Sequence, residues 1–381
     1  MSVLLLATYD TKFAEAEYLM DALTALGVPT EKCDISLGSK GQHWGAAEKV
    51  AAMEQAAARA LDHLATAPQT GRRMIAAIGG GTGGQIALRV LREMPIEMPK
   101  VLISTLPFDP RYALADNAII LVPTMADLSG LNATVRQSLD RAAAILGGLY
   151  DASLPTGNVA IDPSVGVTSL GVTGPGTDAL LGHLRAVGEE ATVFHANGFG
   201  GAAFARWCNA GAFKAVIDYT PHELTRIFVA GVHTAMPDRF TAYCDLPRVI
   251  LPGGVNFIGM GEPDLMPDIY RARSHYSHSP LFTHVKCTAD EITRCARKLA
   301  DALLSGKGPA HALLPMGGFS SEDRPGGAIE DSNLREAFAE EIEGTLSGRV
   351  EITRLPHHIN DPDCAKAAAD ALTTVITEEV P

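Results

Sequence analysis

Gly79-Gly80-Gly81-Thr82-Gly83-Gly84 follows the apolar run Met74–Ile78 and precedes a helical pattern that begins at Gln85. A strand that passes directly into a helix leaves the first helical N–H groups without intrahelical partners. The helix dipole adds partial positive charge at the same place, and a turn without side chains lets an anionic oxygen approach those donors. The chemistry that suits this pattern is phosphate binding, on Gly80, Gly81, Thr82, Gly83 and Gly84, with the Thr82 hydroxyl as a further donor. The turn lacks the GxxxxGK[ST] of a P-loop. It is also not a GxGxxG followed by an acidic residue at the next strand end, so the dinucleotide fingerprint is absent. The competing reading is a tight turn needed only for close helix–sheet packing.

Other polar residues sit where strands end. Asp10-Thr11-Lys12 closes the apolar run Val3–Ala7. Lys12 is suited to neutralise a phosphate and Asp10 to hold a magnesium-bound water, although Asp10 or Thr11 could simply cap the helix that follows. Ser104 and Thr105 offer hydroxyls at another strand end, and Asp127, Ser129 and Asn132 lie at the start of a long helix, where capping is again the alternative. In the second half His195 and Asn197 precede a further glycine turn, Gly198-Phe199-Gly200-Gly201. Asp218, Thr220 and His222 end a later strand. The long loop Pro315–Gly327, with Gly317, Gly318 and Ser320, reads as a binding loop, and His358 lies beside Asn360 and Asp361, one of which is expected to cap the last helix. Asn197, Gly198, Gly200, Gly201, Thr220, Gly317, Gly318 and Ser320 are the substrate-binding candidates. Asp10, His195, Asp218 and His358 are the acid–base candidates.

Two constellations are set aside. His275 and His278 have HxxH spacing, and His195, His222, His233 and His358 are scattered along the same half. Nothing forms HExxH or a Cys/His finger, so no metal is assigned. No GxSxG elbow is present, which disfavours a Ser–His–Asp hydrolase.

These residues require a scaffold of alternating strands and helices. Helical patterns cover about 13–26, 46–65 and 128–149, and strand patterns cover Thr30–Ile35, Met74–Ile78, Lys100–Ser104 and Ala118–Val122. The same order restarts with Val165–Gly171, a helix to Val187 and Thr192–His195. Such alternation predicts mostly parallel sheets wrapped by helices, here two Rossmann-like three-layer subdomains in an α/β chain. The 381-residue length is more than one core usually supports. The segment Tyr150–Pro163 marks the boundary, giving domains 1–155 and 156–381. Gly81–Arg89 and Gly198–Arg206 both read G-x-G-G-x4-R, an echo that suggests duplication. A polar segment, Ser36–Gly45, joins the second strand to the alanine-rich helix.

A formal net charge of −13 excludes non-specific binding to nucleic acid or anionic membrane. Six scattered cysteines without a CxxC pair, and a start without the basic and long apolar runs of a secretion signal, point to reduced thiols in the cytoplasm. No stretch approaches the ~20 apolar residues of a membrane span.

Together, Ala7–Lys12, Gly79–Gly84, Met94-Pro95-Ile96, Pro99-Lys100, Ala126–Asn132, Phe194–Gly201, Val255-Asn256-Phe257, Pro325-Gly326-Gly327 and His358–Asp361 resemble the ATP-binding domain family of the tomato mosaic virus resistance protein. The resemblance runs over nearly the whole chain. It implies two Rossmann-like subdomains, ATP binding in the first, and self-association into a homo-oligomer; a magnesium ion beside the ATP rests on Asp10 alone. The plant member carries a fused TIM-barrel domain resembling phosphoenolpyruvate hydrolase. The resemblance therefore implies a separate barrel protein as a partner. Tyr9 replaces a phenylalanine common in the family. Phe199 stands where threonine is frequent, which removes a hydroxyl from the second turn. Three readings remain open: a nucleotide-binding protein with a regulatory or assembly role, an enzyme acting on a small carboxylate or phosphorylated metabolite at the inter-domain cleft, and a structural partner of a barrel enzyme.

Overall fold

The computed structural model describes residues 2–38, 44–66, 72–96, 98–107, 110, 114, 116–152, 164–231 and 235–377. The chain divides into two units, Met1–Ala160 and Ile161–Pro381. Most of the expected linker, most of the middle of the Ser36–Gly45 segment, and His233 lie outside the described residues.

The first unit is built from β1 (Ser2–Ala7), α1 (Phe13–Ala25), β2 (Thr30–Asp34), α2 (Ala46–Thr66), β3 (Arg72–Gly79), α3 (Gly81–Glu93), β4 (Lys100–Ser104), β5 (Ile119–Pro123) and α4 (Ala133–Asp151). Its strands form one parallel sheet in the order β2-β1-β3-β4-β5. The apolar run of β1 is continuous because both faces of the strand are covered by helices. Leu5 joins α1 and α4 residues such as Leu19, Leu23, Leu139 and Leu146 in one core layer. Leu4 and Leu6 join α2 and α3 residues such as Ala56, Ile86 and Leu91 in the other. Register aligns the strand ends: Ala7 lies beside Ile78, and Gly79 beside Ser104. Residues that follow these strands therefore emerge along one edge.

The second unit comprises β6 (Ser164–Ser169), α5 (Gly174–Ala186), β7 (Ala191–His195), α6 (Phe199–Asn209), β8 (Phe213–Asp218), α7 (Glu223–Phe228), β9 (Arg248–Ile250), β10 (Phe257–Met260), α8 (Asp268–Arg271), β11 (His275–Ser279), β12 (Phe282–Lys286), α9 (Ala289–Ser305), β13 (Ala310–Pro315), α10 (Ser332–Leu346), β14 (Glu351–Leu355) and α11 (Pro362–Thr377). Its main sheet is also parallel, in the order β14-β13-β9-β8-β6-β7. Numbered from its own first strand, this is the order of the first unit with one strand added. The expected pair of Rossmann-like subdomains is present, in the flavodoxin-type strand order. A small antiparallel sheet, β10-β12-β11, is inserted between β9 and α9. The His275–Ser279 stretch is thus one of its two edge strands.

The long helix α4 starts at Ala133 rather than 128 because Asn132 caps it, its side chain accepting from the Val135 amide at 3.0 Å. Residues 128–132 are freed to reach back over α1, where the Gly130 amide donates to the buried Glu15 carboxylate at 2.8 Å.

Candidate functional site

In the first unit the strand order reverses between β1 and β3. Ligands in open α/β sheets bind outside the carboxyl ends of the strands at such a switch point. A cavity of about 330 Å³ lies there, lined by Thr8, Asp10, Thr11, Lys12, Leu37, Lys49, Gly80, Gly81, Thr82, Gly83 and Asp127. Helix α3 begins in its wall. No side chain caps the helix, and its first internal hydrogen bond runs from the Gly84 amide to the Gly80 carbonyl at 2.7 Å. The amides of Gly81, Thr82 and Gly83 therefore precede the helical ladder and are available to a ligand.

The glycines of this turn divide into two kinds. A Cβ on Gly79 would lie 2.5 Å from the Gly83 carbonyl carbon, so this residue serves close packing of strand on helix. A Cβ on Gly80 would meet only the Thr105 hydroxyl, at 4.0 Å, so its bareness is not required by packing. Gly83 is intermediate, with Thr8 Cγ2 at 3.1 Å from its added Cβ. The β1 end is pinned by its own bonds: the Thr11 and Lys12 amides donate to the Thr8 carbonyl, and the Asp10 amide donates to Ser36 Oγ at 3.0 Å. Leu106 and Met125, just past β4 and β5, take left-handed φ values of 51° and 60°. Such conformations are uncommon for side-chain-bearing residues, and here they fall at the carboxyl edge of the sheet.

The remaining first-unit candidates lie outside this lining. Gly84 lies inside the helical ladder. Ser104 is buried and accepts from the Leu106 amide at 3.2 Å. Thr105 faces Gly80 from outside the cavity lining, Ser129 is exposed, and Asn132 is the α4 cap. Lys49 and Leu37 were not singled out from sequence; both flank the weakly patterned segment after β2, and nothing local marks them as facing the glycine turn.

In the second unit the equivalent switch point lies between β6 and β8. A second cavity, of about 250 Å³, opens there, lined by Leu170, Gly171, Val172, His195, Asn197, His222, Arg226, Phe257, Gly259, Met260, His278, Phe282 and His284. The Gly198–Gly201 turn is not its counterpart of Gly80–Gly83, because it follows the second strand of the unit rather than the third. The motif echo therefore joins inequivalent positions. Its amides are also engaged: Gly198 donates to the buried Glu223 carboxylate at 3.1 Å and Gly200 to Asn197 Oδ1 at 3.4 Å. A Cβ on Gly200 or Gly201 would lie 2.1 Å from the His195 carbonyl oxygen or 2.4 Å from Glu223 Oε1. Gly200 and Gly201 serve close packing, and Gly198 takes a left-handed φ of 105°.

The four acid–base candidates have different surroundings. Asp218 is fully enclosed; it holds Arg239 through bonds of 2.8 and 2.9 Å and accepts from Thr168 and Tyr243. His358 has both ring nitrogens engaged, Nε2 on the Ser320 carbonyl at 2.9 Å and Nδ1 accepting from the Asn360 amide at 3.0 Å. Asp10 lines the first cavity and His195 the second. Thr220 is buried against Thr173, 2.7 Å between hydroxyls. The long loop after β13 is anchored rather than lid-like. Ser320 is buried and accepts from Asn256, Asp323 accepts from the Phe319 amide, and Gly317 and Gly318 abut His357 and His358.

Beside the candidates His195 and Asn197, the second cavity is walled by rings that the sequence named without a role, together with His284, which it did not name. His222, Phe257, His284 and His278 stack in a row, with successive ring centroids 4.4, 4.1 and 5.0 Å apart. Burial pushes the His222 imidazole well below its ordinary range and His284 down to about 4, with the Arg226 guanidinium acting in the same direction. At neutral pH these rings are uncharged, with lone pairs available. His275 does not join them; on a strand the HxxH spacing does not align its ends as it would on a helix, and its Nδ1 faces the Arg273 carbonyl.

The N-terminal domain model of the uncharacterised protein family UPF0261 matches residues 39–154, and the C-terminal domain model matches residues 162–376. A UPF0261 protein of Mesorhizobium japonicum is 33% identical over 96% of this chain and 97% of its own length. One from Rhizobium meliloti is 33% identical over 97% of this chain and 98% of its own. The ToMV resistance protein Tm-1 of Solanum lycopersicum is 28% identical over 78% of this chain, which corresponds to 41% of that plant protein. Neither domain description names a ligand.

Proposed function

For a chain that belongs to the UPF0261 family over both of its domains, we propose a nucleotide-binding function, with ATP held at the β1/β3 switch point of the N-terminal domain. The observation that carries this reading is the start of α3, where three uncapped amides face a cavity that also holds Lys12 and Lys49. Phosphate oxygens accept from the Gly81, Thr82 and Gly83 amides, whose combined dipole favours negative charge. The two lysines supply compact positive charge, and Asp10 and Asp127 provide carboxylates for the waters of a magnesium ion. Gly80 fits this role, since packing alone would tolerate a side chain there. The kinship with a plant resistance protein, and the ATP-binding resemblance of the motifs, point the same way. A regulatory or assembly role beside a barrel protein follows as the physiological reading.

Titration calorimetry with ATP and magnesium tests this. Gly80→Val adds branches at the cradle from a Cβ that meets nothing closer than 4.0 Å and is expected to weaken binding at least tenfold. Lys12→Ala removes a charge-assisted contact worth about 1.5–3 kcal/mol, a loss of about tenfold or more. Wild-type affinity in both variants, or no binding at millimolar ATP, overturns the reading.

A further inference from the structure

We infer that His278, His284 and Glu322 form a binding site for a divalent transition-metal ion of the zinc class, opening on the cavity of the C-terminal domain. This is independent of the nucleotide reading, which concerns the other domain. The three residues come from β11, β12 and the loop after β13, and their ligand atoms lie within 4.8 Å of one another. His284 Nδ1 and Glu322 Oε1 are 3.8 Å apart, too far for a hydrogen bond. Among the described residues neither His284 Nδ1 nor Glu322 Oε2 has a hydrogen-bond partner, and both atoms are enclosed.

An unsatisfied buried polar atom costs about 1–3 kcal/mol, and two on neighbouring side chains need an explanation. A cation between them satisfies both groups at once. The donor set also selects the ion. Two imidazoles and one carboxylate suit zinc, cobalt, nickel or iron rather than magnesium or calcium, which prefer oxygen alone. Three protein ligands leave a fourth position open.

Tetrahedral bonds of about 2.0–2.1 Å place ligand atoms about 3.3 Å apart, so the site contracts on loading. The His284–Glu322 pair is already close to that spacing. His278 supplies the rest of the movement, being exposed and next to a register shift in β11. Phe257 stands between His284 and His222, which keeps His222 out of the coordination sphere. The cavity that His278 and His284 line also bears Arg226, His195 and Asn197. A guanidinium beside a Lewis acid suits a small molecule with a carboxylate or phosphate group.

The test is cobalt titration of the untagged, full-length, chelator-stripped protein, read by visible d–d absorption, with zinc as competitor. One Co²⁺ per chain is expected, displaced by zinc. His278→Ala and Glu322→Gln should each weaken cobalt binding at least tenfold with unchanged circular dichroism. His275→Ala, which removes the outer member of the HxxH pair, should leave affinity unchanged. His278 is exposed, so its variant reports on the ion rather than on folding. Absence of stoichiometric binding, full affinity in both ligand variants, or an equal loss in His275→Ala overturns the inference.

Discussion

At the scale of single residues, chemistry depends on what encloses a group. Asp218 is a strand-end aspartate, and its position alone makes it resemble a general base. In the fold it is the anionic half of a buried network with Arg239, Tyr243 and Thr168, and Glu223 contacts the same guanidinium at 3.2 Å. Removing one charge from a buried pair leaves the other uncompensated, at about 3–5 kcal/mol. Asp218→Asn is therefore expected to lower the urea midpoint strongly while leaving ATP affinity intact, since the proposed nucleotide contacts lie in the other domain. His284 makes a pH prediction. Its folded-state pKa, about 4, lies below the ordinary 6.5 because burial disfavours the charged ring. The unfolded chain thus binds more protons between those values. The stability His284 contributes is complete above about pH 6.5 and is lost as pH falls toward 4, by at most about 3 kcal/mol. Urea denaturation of metal-free protein at pH 7 and pH 4.5 should show this fall, and His284→Gln should flatten it. Asp10 and Lys12 were legible in the sequence because they are contiguous and follow an obvious strand. The convergence of His222 and Arg226 with His278, His284 and Glu322 was not, because these groups come from separate elements and no spacing records it.

Elements were the most legible level, and they show where local pattern stops being informative. β1, β3 and β4 are uninterrupted apolar runs because helices cover both faces, and their positions follow directly from composition. β11, with the sequence His-Tyr-Ser-His-Ser, is an exposed edge strand without apolar alternation, so nothing local distinguishes it from a loop. The repeated glycine motif misled for another reason. Glycine is required wherever a helix start crowds a strand end, whether or not a ligand binds. The turn after β3 separates these causes within two residues. Gly79→Ala drives a Cβ into the α3 backbone at 2.5 Å; overpacking of this kind costs about 1–3 kcal/mol, occasionally more. Gly80→Ala meets nothing closer than 4.0 Å and should leave the melting temperature nearly unchanged. Thermal melts of the two variants in the absence of nucleotide check the distinction. Equal destabilisation would mean that Gly80 is a packing glycine too, and the case for a phosphate cradle would lose its strongest structural support.

For the whole molecule, the two units share a strand order and place a cavity at the same topological position, yet they furnish it differently. After its third strand the first unit has a bare glycine turn. The second has Tyr219-Thr220-Pro221-His222-Glu223, and an inserted antiparallel sheet brings imidazoles over the same edge. Each unit also has its own core: Leu5, Ile78 and Leu139 belong to the first, Val216, Leu299 and Phe338 to the second. Independent cores and separate ligand sets predict separable ligand effects on stability. A ligand at 100 times its dissociation constant adds about 2.7 kcal/mol to the state that binds it. In calorimetry of residues 1–160 and 161–381 expressed separately, ATP with magnesium should raise the melting temperature of the first fragment alone. Cobalt or zinc should raise that of the second alone. Each fragment should retain the affinity of the full chain within about threefold, because such a factor is only about 0.7 kcal/mol. If ATP instead stabilised residues 161–381, or both fragments failed to bind, the ligand sites would have to draw on residues from both halves, and assigning one cavity to each switch point would be wrong.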